Sequence, residues 1–289
     1  MCNFVHWRFL SLKFCASVLD NITSDRFRTG YNVPLSDYLL YARDGPRIIR
    51  LSIPGVENKA DRERRLQRHE CATVIVVGSG LAGMSAAIEA ADARARVILL
   101  EKEPTTGGNS AKATSGINGW GTDTQAEHGV ADEERLFERD TFRSGINGRT
   151  DHSLVRILSA KSADAIHWLK HRFGVPLNVL SQLGGHSAKR THRAPAVDGR
   201  PVPIGWKIMS TLKNAIDSEY ADKIEIRCRQ TVTKLMHRVE ADGSKTVWGL
   251  EVNGHEIIDA DAVVLATGGF GCCQSKDGLM ARFRPDVSV

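Results

Sequence analysis

An α/β fold with a parallel sheet at its centre is what this sequence predicts, and three observations carry the prediction. The first is TVIVV at Thr73–Val77, β-branched throughout, which reads as a strand buried on both faces. The second is Gly78-Ser79-Gly80-Leu81-Ala82-Gly83, followed at once by an alanine-rich helix and then by a second apolar strand, Val97–Leu100, ending in Glu101. The third is Asp261–Leu265, an apolar strand that runs into Ala266-Thr267-Gly268-Gly269.

Each part of the first unit has a physical task. Gly78 permits a tight turn, Gly80 lets a pyrophosphate approach the backbone, and Gly83 lets the helix pack closely on the strand. The helix N-terminus adds free N–H groups and partial positive charge, and Glu101 is placed to accept hydrogen bonds from ribose hydroxyls. The spacing of strand, glycines, helix and acid therefore implies dinucleotide binding.

The segment Lys102–Gly119 is rich in paired glycines, small hydroxyl residues and asparagine, so its amides can crowd against a ligand. That composition implies a cofactor reaching far beyond one nucleotide. Helices are expected over Asp132–Arg143 and Asp151–Phe173, the second with Leu154, Leu158, Ile166 and Leu169 on one stripe and Gly174 past its end. His167, Trp168 and His171 on it read as packing and surface residues. A further helix is expected over Trp206–Tyr220.

Gly184–Arg193, GGHSAKRTHR, is the most basic run in the chain. It reads either as an anion site, for cofactor phosphate or a substrate carboxylate, or as a solvated loop. Two histidines with no carboxylate near them in sequence do not make a metal set, and no metal residue is assigned. Strand character at Ile224–Arg227, Val232–His237, Thr246–Val252 and His255–Ile258, with a turn at Ala241–Ser244, predicts a small β-meander.

Across the whole chain, 289 residues suffice for one large domain or two ordinary ones. The balance of 39 basic and 34 acidic residues, +5, argues against a nucleic-acid partner. Six cysteines without CxxC pairs point to a reducing compartment. No apolar run approaches the ~20 residues of a membrane helix, so a soluble, intracellular protein without a membrane span is expected. The first twenty residues, basic and apolar, read as a transit peptide or as a helix left from an upstream domain. Residues 21–60 show no clear period and read as a looped approach, and Asp61–Glu70 as a charged helix or linker. Mitochondrion and glycosome are both open as compartments.

Taken together, VVGSGLAG, the run from LLEKEPTTGGNS to GIN, GGHSAKRTHR and VVLATGGFG resemble the flavoprotein subunits of the fumarate reductase and succinate dehydrogenase family. The resemblance is nearest to soluble fumarate reductases, including the NADH-dependent multidomain type of kinetoplastids, and covers Cys71 to about Gly271. It implies a Rossmann-like FAD-binding domain of the glutathione-reductase type, with a parallel sheet, a small meander, the start of a capping domain and no C-terminal half. By position it implies FAD contacts at Gly78, Ser79, Gly80, Ala82 and Gly83 for the pyrophosphate, and at Glu101 and Lys102 for the adenosine ribose. Gly107, Gly108, Asn109, Ser110, Ser115 and Gly116 would follow the ribityl chain and flavin. Val232 would reach the adenine through its backbone, and Ala266, Thr267 and Gly268 would complete the groove.

Membrane-complex relatives place a flavin-bonded histidine where alignment on Gly116-Ile117-Asn118 puts Asn109, so the resemblance implies noncovalent FAD. It also implies a dicarboxylate substrate, fumarate or succinate, with NADH as electron donor. The expected layout is a lead-in at 1–70, an FAD-binding domain at 71–271 and a truncated tail at 272–289, with no catalytic residue assigned. The alternatives are an inactive FAD-binding fragment and a flavoenzyme akin to aspartate oxidase or ketosteroid dehydrogenase.

Overall fold

The structure is a computed structural model that describes residues 71–145, 150–239, 241, 243–271, 273, 275–276 and 278–287, with the backbone of 37–42 and 45–50. Readings made on the rest of residues 1–70, and on position 242 of the expected turn, lie outside the described residues. In chain order the elements open with β1 (Asp37–Ala42) and β2 (Gly45–Arg50), then β3 (Thr73–Val77), α1 (Leu81–Asp92) and β4 (Arg96–Glu101). Next come β5 (Ile117–Asn118), α2 (Asp123–Glu127), α3 (Glu134–Ser144), α4 (His152–His167), β6 (Val179–Ser181), β7 (Thr191–Arg193) and α5 (Ile204–Glu219). The last are β8 (Ile224–Cys228), β9 (Val232–Val239), β10 (Lys245–Val252), β11 (Glu256–Asp259), β12 (Ala262–Leu265) and α6 (Leu279–Phe283).

Strands β12, β3, β4 and β8 form a wholly parallel sheet in that spatial order. Its side chains alternate between faces, as strand geometry requires. Val74, Val76, Val97 and Leu99 pack with α1 and α5, whereas Ile75, Val77, Ile98 and Leu100 pack with Val247, Leu250 and Val252 of the antiparallel sheet β11-β10-β9. Burial on both faces is why these strands are apolar without interruption. The chain leaves β3 towards β4 and β8 and returns on the other side of β3 with β12. That reversal opens a crevice between the carboxyl ends of β3 and β12, where doubly wound sheets bind ligands.

Two expectations are corrected. Ile224–Arg227 was expected in the meander, but it is the edge of the parallel sheet beside β4, with Leu99 opposite Ile226. One face of this edge strand packs Ile224 into the helix-side core, and the other carries Glu225 and Arg227, paired at 2.8 Å, so its alternation imitates a meander strand. The looped approach at 21–60 contains the antiparallel pair β1 and β2, with Tyr41 opposite Pro46; a proline inside a run masks strand character in sequence.

α4 starts on Asp151, whose Oδ1 accepts from the Ser153 and Leu154 amides at 2.9 and 3.1 Å. It continues as a π-turn over Trp168–Arg172, and Gly174 follows at φ +65°. Val155, Leu158, Ile166 and Leu169 are buried along it; Leu154, expected on the stripe, is half-buried beside the cap. A third sheet, β5-β7-β6, sets Ile117 opposite His192 and so brings the Gly184–Arg193 run against the end of the glycine-rich segment.

Candidate functional site

The crevice at the carboxyl end of the parallel sheet begins with Gly78. At φ +100° its missing side chain lies against the Ala266 carbonyl, 2.6 Å from where a Cβ would stand. A Cβ on Gly83 would sit 1.7 Å from the Gly78 carbonyl oxygen, so these two glycines lock β3, α1 and β12 together. Gly80, Gly108 and Gly268 differ. Over Gly80 the nearest atom is the Ser110 Oγ at 3.4 Å, and over Gly108 and Gly268 nothing lies within 4 Å. These positions are backbone bared to open space, the cradle an extended phosphate-bearing cofactor fills.

The first turn of α1 opens onto the same space. The Met84 amide makes the first helical bond, to the Gly80 carbonyl at 3.0 Å, and the Leu81 amide donates to Ser110 Oγ at 3.1 Å. That turn itself contains no acidic residue to offset its positive end. Ala82, half-buried, belongs to it.

Glu101, at the end of β4, is buried beside this turn. Its Oε2 accepts from the Ser79 amide at 2.9 Å and the Ser79 hydroxyl at 2.5 Å, and its Oε1 from the Glu103 amide at 3.0 Å. Burial alone raises its pKa, but the hydrogen bonds from Ser79 and Glu103 and the charge of Lys102 outweigh it and hold the group ionised. Lys102 is exposed and paired with Glu103. The backbone of Gln230 donates to the Glu101 carbonyl at 2.8 Å, which brings the start of β9, at Val232, towards the Glu101 end of the crevice.

From Ser79 the glycine-rich run leads away along the crevice. The Gly107 amide donates to the Ser79 carbonyl at 3.1 Å; Asn109 is exposed in a short 3-10 turn, and Ser110 is buried. Ser115 is exposed, and Gly116, at φ +130°, lies against the His192 carbonyl. On the opposite bank the Ala266 amide bonds to the Val77 carbonyl at 2.8 Å, and Thr267 and Gly268 are exposed. The residues expected to hold the cofactor thus line one continuous path, from Val232 and Glu101 through Ser79 to Gly116, with Ala266–Gly268 across from it.

The basic run resolves into unlike parts. Arg190 is wholly buried and bidentate to Asp132, Nη2–Oδ1 2.7 Å and Nε–Oδ2 2.9 Å, with Nη1 2.6 Å from Asp140 Oδ2. Its guanidinium also lies over the Phe137 ring, 4.8 Å from the centroid. The run therefore has carboxylate partners after all, delivered by α3 and the loop before it from about fifty residues upstream in the chain. Burial would raise the Asp140 pKa, but hydrogen bonds from the Ser187 amide and hydroxyl and from Arg190 hold it below the usual value.

His192 is equally buried. Its Nδ1 lies 2.9 Å from the Arg190 carbonyl, which only accepts, so Nδ1 carries the proton and Nε2 accepts from the Thr122 hydroxyl at 2.7 Å. Burial pushes its pKa down to about 4. Neither Arg190 nor His192 is available to a ligand. Arg193 is: half-buried, its side chain has no hydrogen-bonding or ionic partner among the described residues, and it lines a cavity of about 280 Å³ with Thr114, Ser115 and Leu183.

His167 and His171 flank Asp123, a grouping that sequence spacing did not reveal. Their ligating atoms all lie within 4.8 Å of one another. The Lys170 ammonium already meets Asp123 Oδ2 at 2.9 Å and Thr124 Oγ1 at 3.0 Å, so a cation is built into the cluster.

A family model described as an FAD binding domain matches residues 73–286. Fumarate reductase 1 of Saccharomyces cerevisiae is 40% identical over 217 residues, covering 74% of this chain and 44% of that protein. Fumarate reductase (cytochrome) of Shewanella frigidimarina is 35% identical over 246 residues, 83% of this chain and 38% of that one. The open conformation of a flavocytochrome c3 fumarate reductase aligns with TM-score 0.65 at 31% identity, covering 92% of this chain and 43% of its own. The chain thus spans less than half the length of these relatives. No helix among the described residues is long and apolar enough to cross a membrane. Bared glycines at the switch point, a buried acid at the end of the second strand and the match over residues 73–286 lead to one assignment: this chain belongs to the FAD binding domain family.

Proposed function

We propose that this chain holds the FAD of a reaction that reduces fumarate to succinate, with NADH as electron source. The observation that supports this best is the crevice at the switch point, where Gly80, Gly108 and Gly268 bare their backbone to open space beside the helix α1 N-terminus. FAD, when bound, supplies the flavin that accepts and delivers the hydride.

In this reading Gly78, Ser79, Gly80, Ala82 and Gly83 hold the pyrophosphate, and Glu101, with Lys102 beside it, holds the adenosine ribose. Val232 meets the adenine through its backbone. Gly107, Gly108, Asn109, Ser110, Ser115 and Gly116 follow the ribityl chain to the flavin, opposite Ala266, Thr267 and Gly268. An asparagine side chain forms no bond to flavin, so the cofactor is noncovalent. Residues 71–271 make up the FAD-binding domain, preceded by the lead-in 1–70 and followed by 272–289. Arg190 and His192, buried and engaged, deliver no proton to substrate, and no other described residue is given that role.

Purified chain should be yellow, and acid precipitation should release its flavin to the supernatant. Flavin retained in the pellet would refute noncovalent binding, and a folded but colourless protein that takes up no added FAD would refute the site. The dicarboxylate and NADH parts are tested in the longest natural form, by fumarate-dependent oxidation of NADH.

A further inference from the structure

Where α4 passes into its π-turn, one face brings two imidazoles against a carboxylate from another part of the chain. His167 and His171 are four positions apart, so their rings leave the same side of the helix, with centroids 5.4 Å apart. Asp123, the first residue of α2, meets both: its Oδ1 lies 3.6 Å from His167 Nε2 and its Oδ2 3.1 Å from His171 Nε2.

These separations are those a tetrahedral metal imposes. Zinc bonds of about 2.0–2.1 Å, opened to the tetrahedral angle, hold neighbouring ligand atoms about 3.3–3.4 Å apart. The two measured distances bracket that value, and one ligand atom from each residue falls within 4.8 Å of the other two. The tautomer agrees. The Asp123 amide lies 3.3 Å from His167 Nε2 and can only donate, so that nitrogen presents a lone pair on the side of Asp123. The bond is a long one, which coordination replaces. The carboxylate is itself oriented, its Oδ1 accepting from the Thr124 amide at 2.7 Å, as ligating carboxylates are by their outer partners. His171 is exposed, so water can complete the coordination sphere.

Lys170 supplies the positive charge in the metal-free chain. Its ammonium lies 2.9 Å from Asp123 Oδ2, the oxygen that faces His171, and 3.0 Å from Thr124 Oγ1. Ammonium and metal therefore compete for one acceptor, and the flexible lysine stem lets the ammonium withdraw. Calcium and magnesium take several oxygen ligands, whereas two imidazoles and one carboxylate suit zinc.

We propose that Asp123, His167 and His171 form a zinc-binding site in which Lys170 is the built-in competitor. The metal ties the start of α2 to the end of α4, 44 positions along the chain. The site shares no residue with the cofactor path and does not depend on the cofactor reading.

The test is calorimetric titration of Zn²⁺ into the metal-stripped 289-residue chain, for wild type, His171→Ala, Asp123→Asn and Lys170→Met, with circular dichroism to establish that each is folded. Wild type should take up one Zn²⁺ saturably at this site, and His171→Ala and Asp123→Asn should each weaken it at least about tenfold. His171 is exposed, so its substitution disturbs no core and keeps the test valid should Asp123→Asn fail to fold. Lys170→Met, which removes the competitor and leaves all three ligands, should bind more tightly than wild type, an outcome that a merely structural role for the cluster would not produce. Zn²⁺ uptake that is unchanged in His171→Ala is held elsewhere in the chain and overturns the proposal, as does the absence of saturable uptake by wild type. Binding no tighter in Lys170→Met overturns the competitor role.

Discussion

Arg190→Met removes the one cation from a buried cluster that ties the basic run to α3. The guanidinium makes hydrogen bonds of 2.6, 2.7 and 2.9 Å to two carboxylates whose side chains are 1% and 3% exposed. Met fills similar volume, so little cavity is left, but Asp132 and Asp140 remain as buried charges. Removing one partner of a buried ion pair costs about 3–5 kcal/mol. With a urea slope of ~3 kcal/mol/M for a chain of this size, the midpoint should fall by about 1–1.7 M at pH 7.

The pH dependence has a definite sign. In wild type, Asp140 has its folded pKa below the usual value, so its stabilising contribution is full above the unfolded value of 3.8 and is lost as pH falls through the folded one. In the variant, burial without Arg190 leaves the Asp140 carboxyl easier to protonate, so acidification relieves the repulsion and the gap between the proteins narrows. Adding Asp132→Asn and Asp140→Asn to Arg190→Met should restore more than half of the lost stability. A midpoint shift under about 0.3 M at pH 7 would refute the reasoning, since that is the scale of an exposed pair worth at most ~1 kcal/mol.

Gly83→Ala and Gly80→Ala should part stability from cofactor binding. The Gly83 substitution drives a Cβ into the Gly78 backbone and should cost about 3 kcal/mol in urea unfolding along with the flavin. The Gly80 substitution meets only the Ser110 Oγ at 3.4 Å and should leave the midpoint nearly unchanged, while FAD affinity drops at least about tenfold by fluorescence titration. His192, with a folded pKa of about 4 against 6.5, stays neutral in the fold while it charges in the unfolded chain. Its contribution is therefore full above pH 6.5 and declines by roughly 3 kcal/mol as pH falls towards 4, a slope that His192→Gln should lack in urea titrations at stepped pH.

The local half of this protein was written in residue spacing. TVIVV, the three glycines, the alanine helix and Glu101 repeat a pattern whose partners lie within thirty residues, and the structure joins them as a strand, turn, helix and strand. The apolar continuity of β3 and β4 foretold burial on both faces, because a one-sided strand would alternate. Ile224–Cys228 misled for the converse reason: as an edge strand it alternates, and only its hydrogen bonds to β4 distinguish it from the meander.

Which basic residues are free was decided by tertiary structure alone. Arg190, His192 and Arg193 stand within four positions and share a composition that suggests anion binding. Asp132 and Asp140, arriving from about fifty residues away, neutralise the first; Thr122, seventy residues upstream, engages the second. Among the described residues the side chain of the third has no partner, in a cavity beside Ser115. Periodicity records how a segment meets the core, but the cost of burying a charge makes its pairing depend on whatever carboxylate the fold delivers, however distant in the chain.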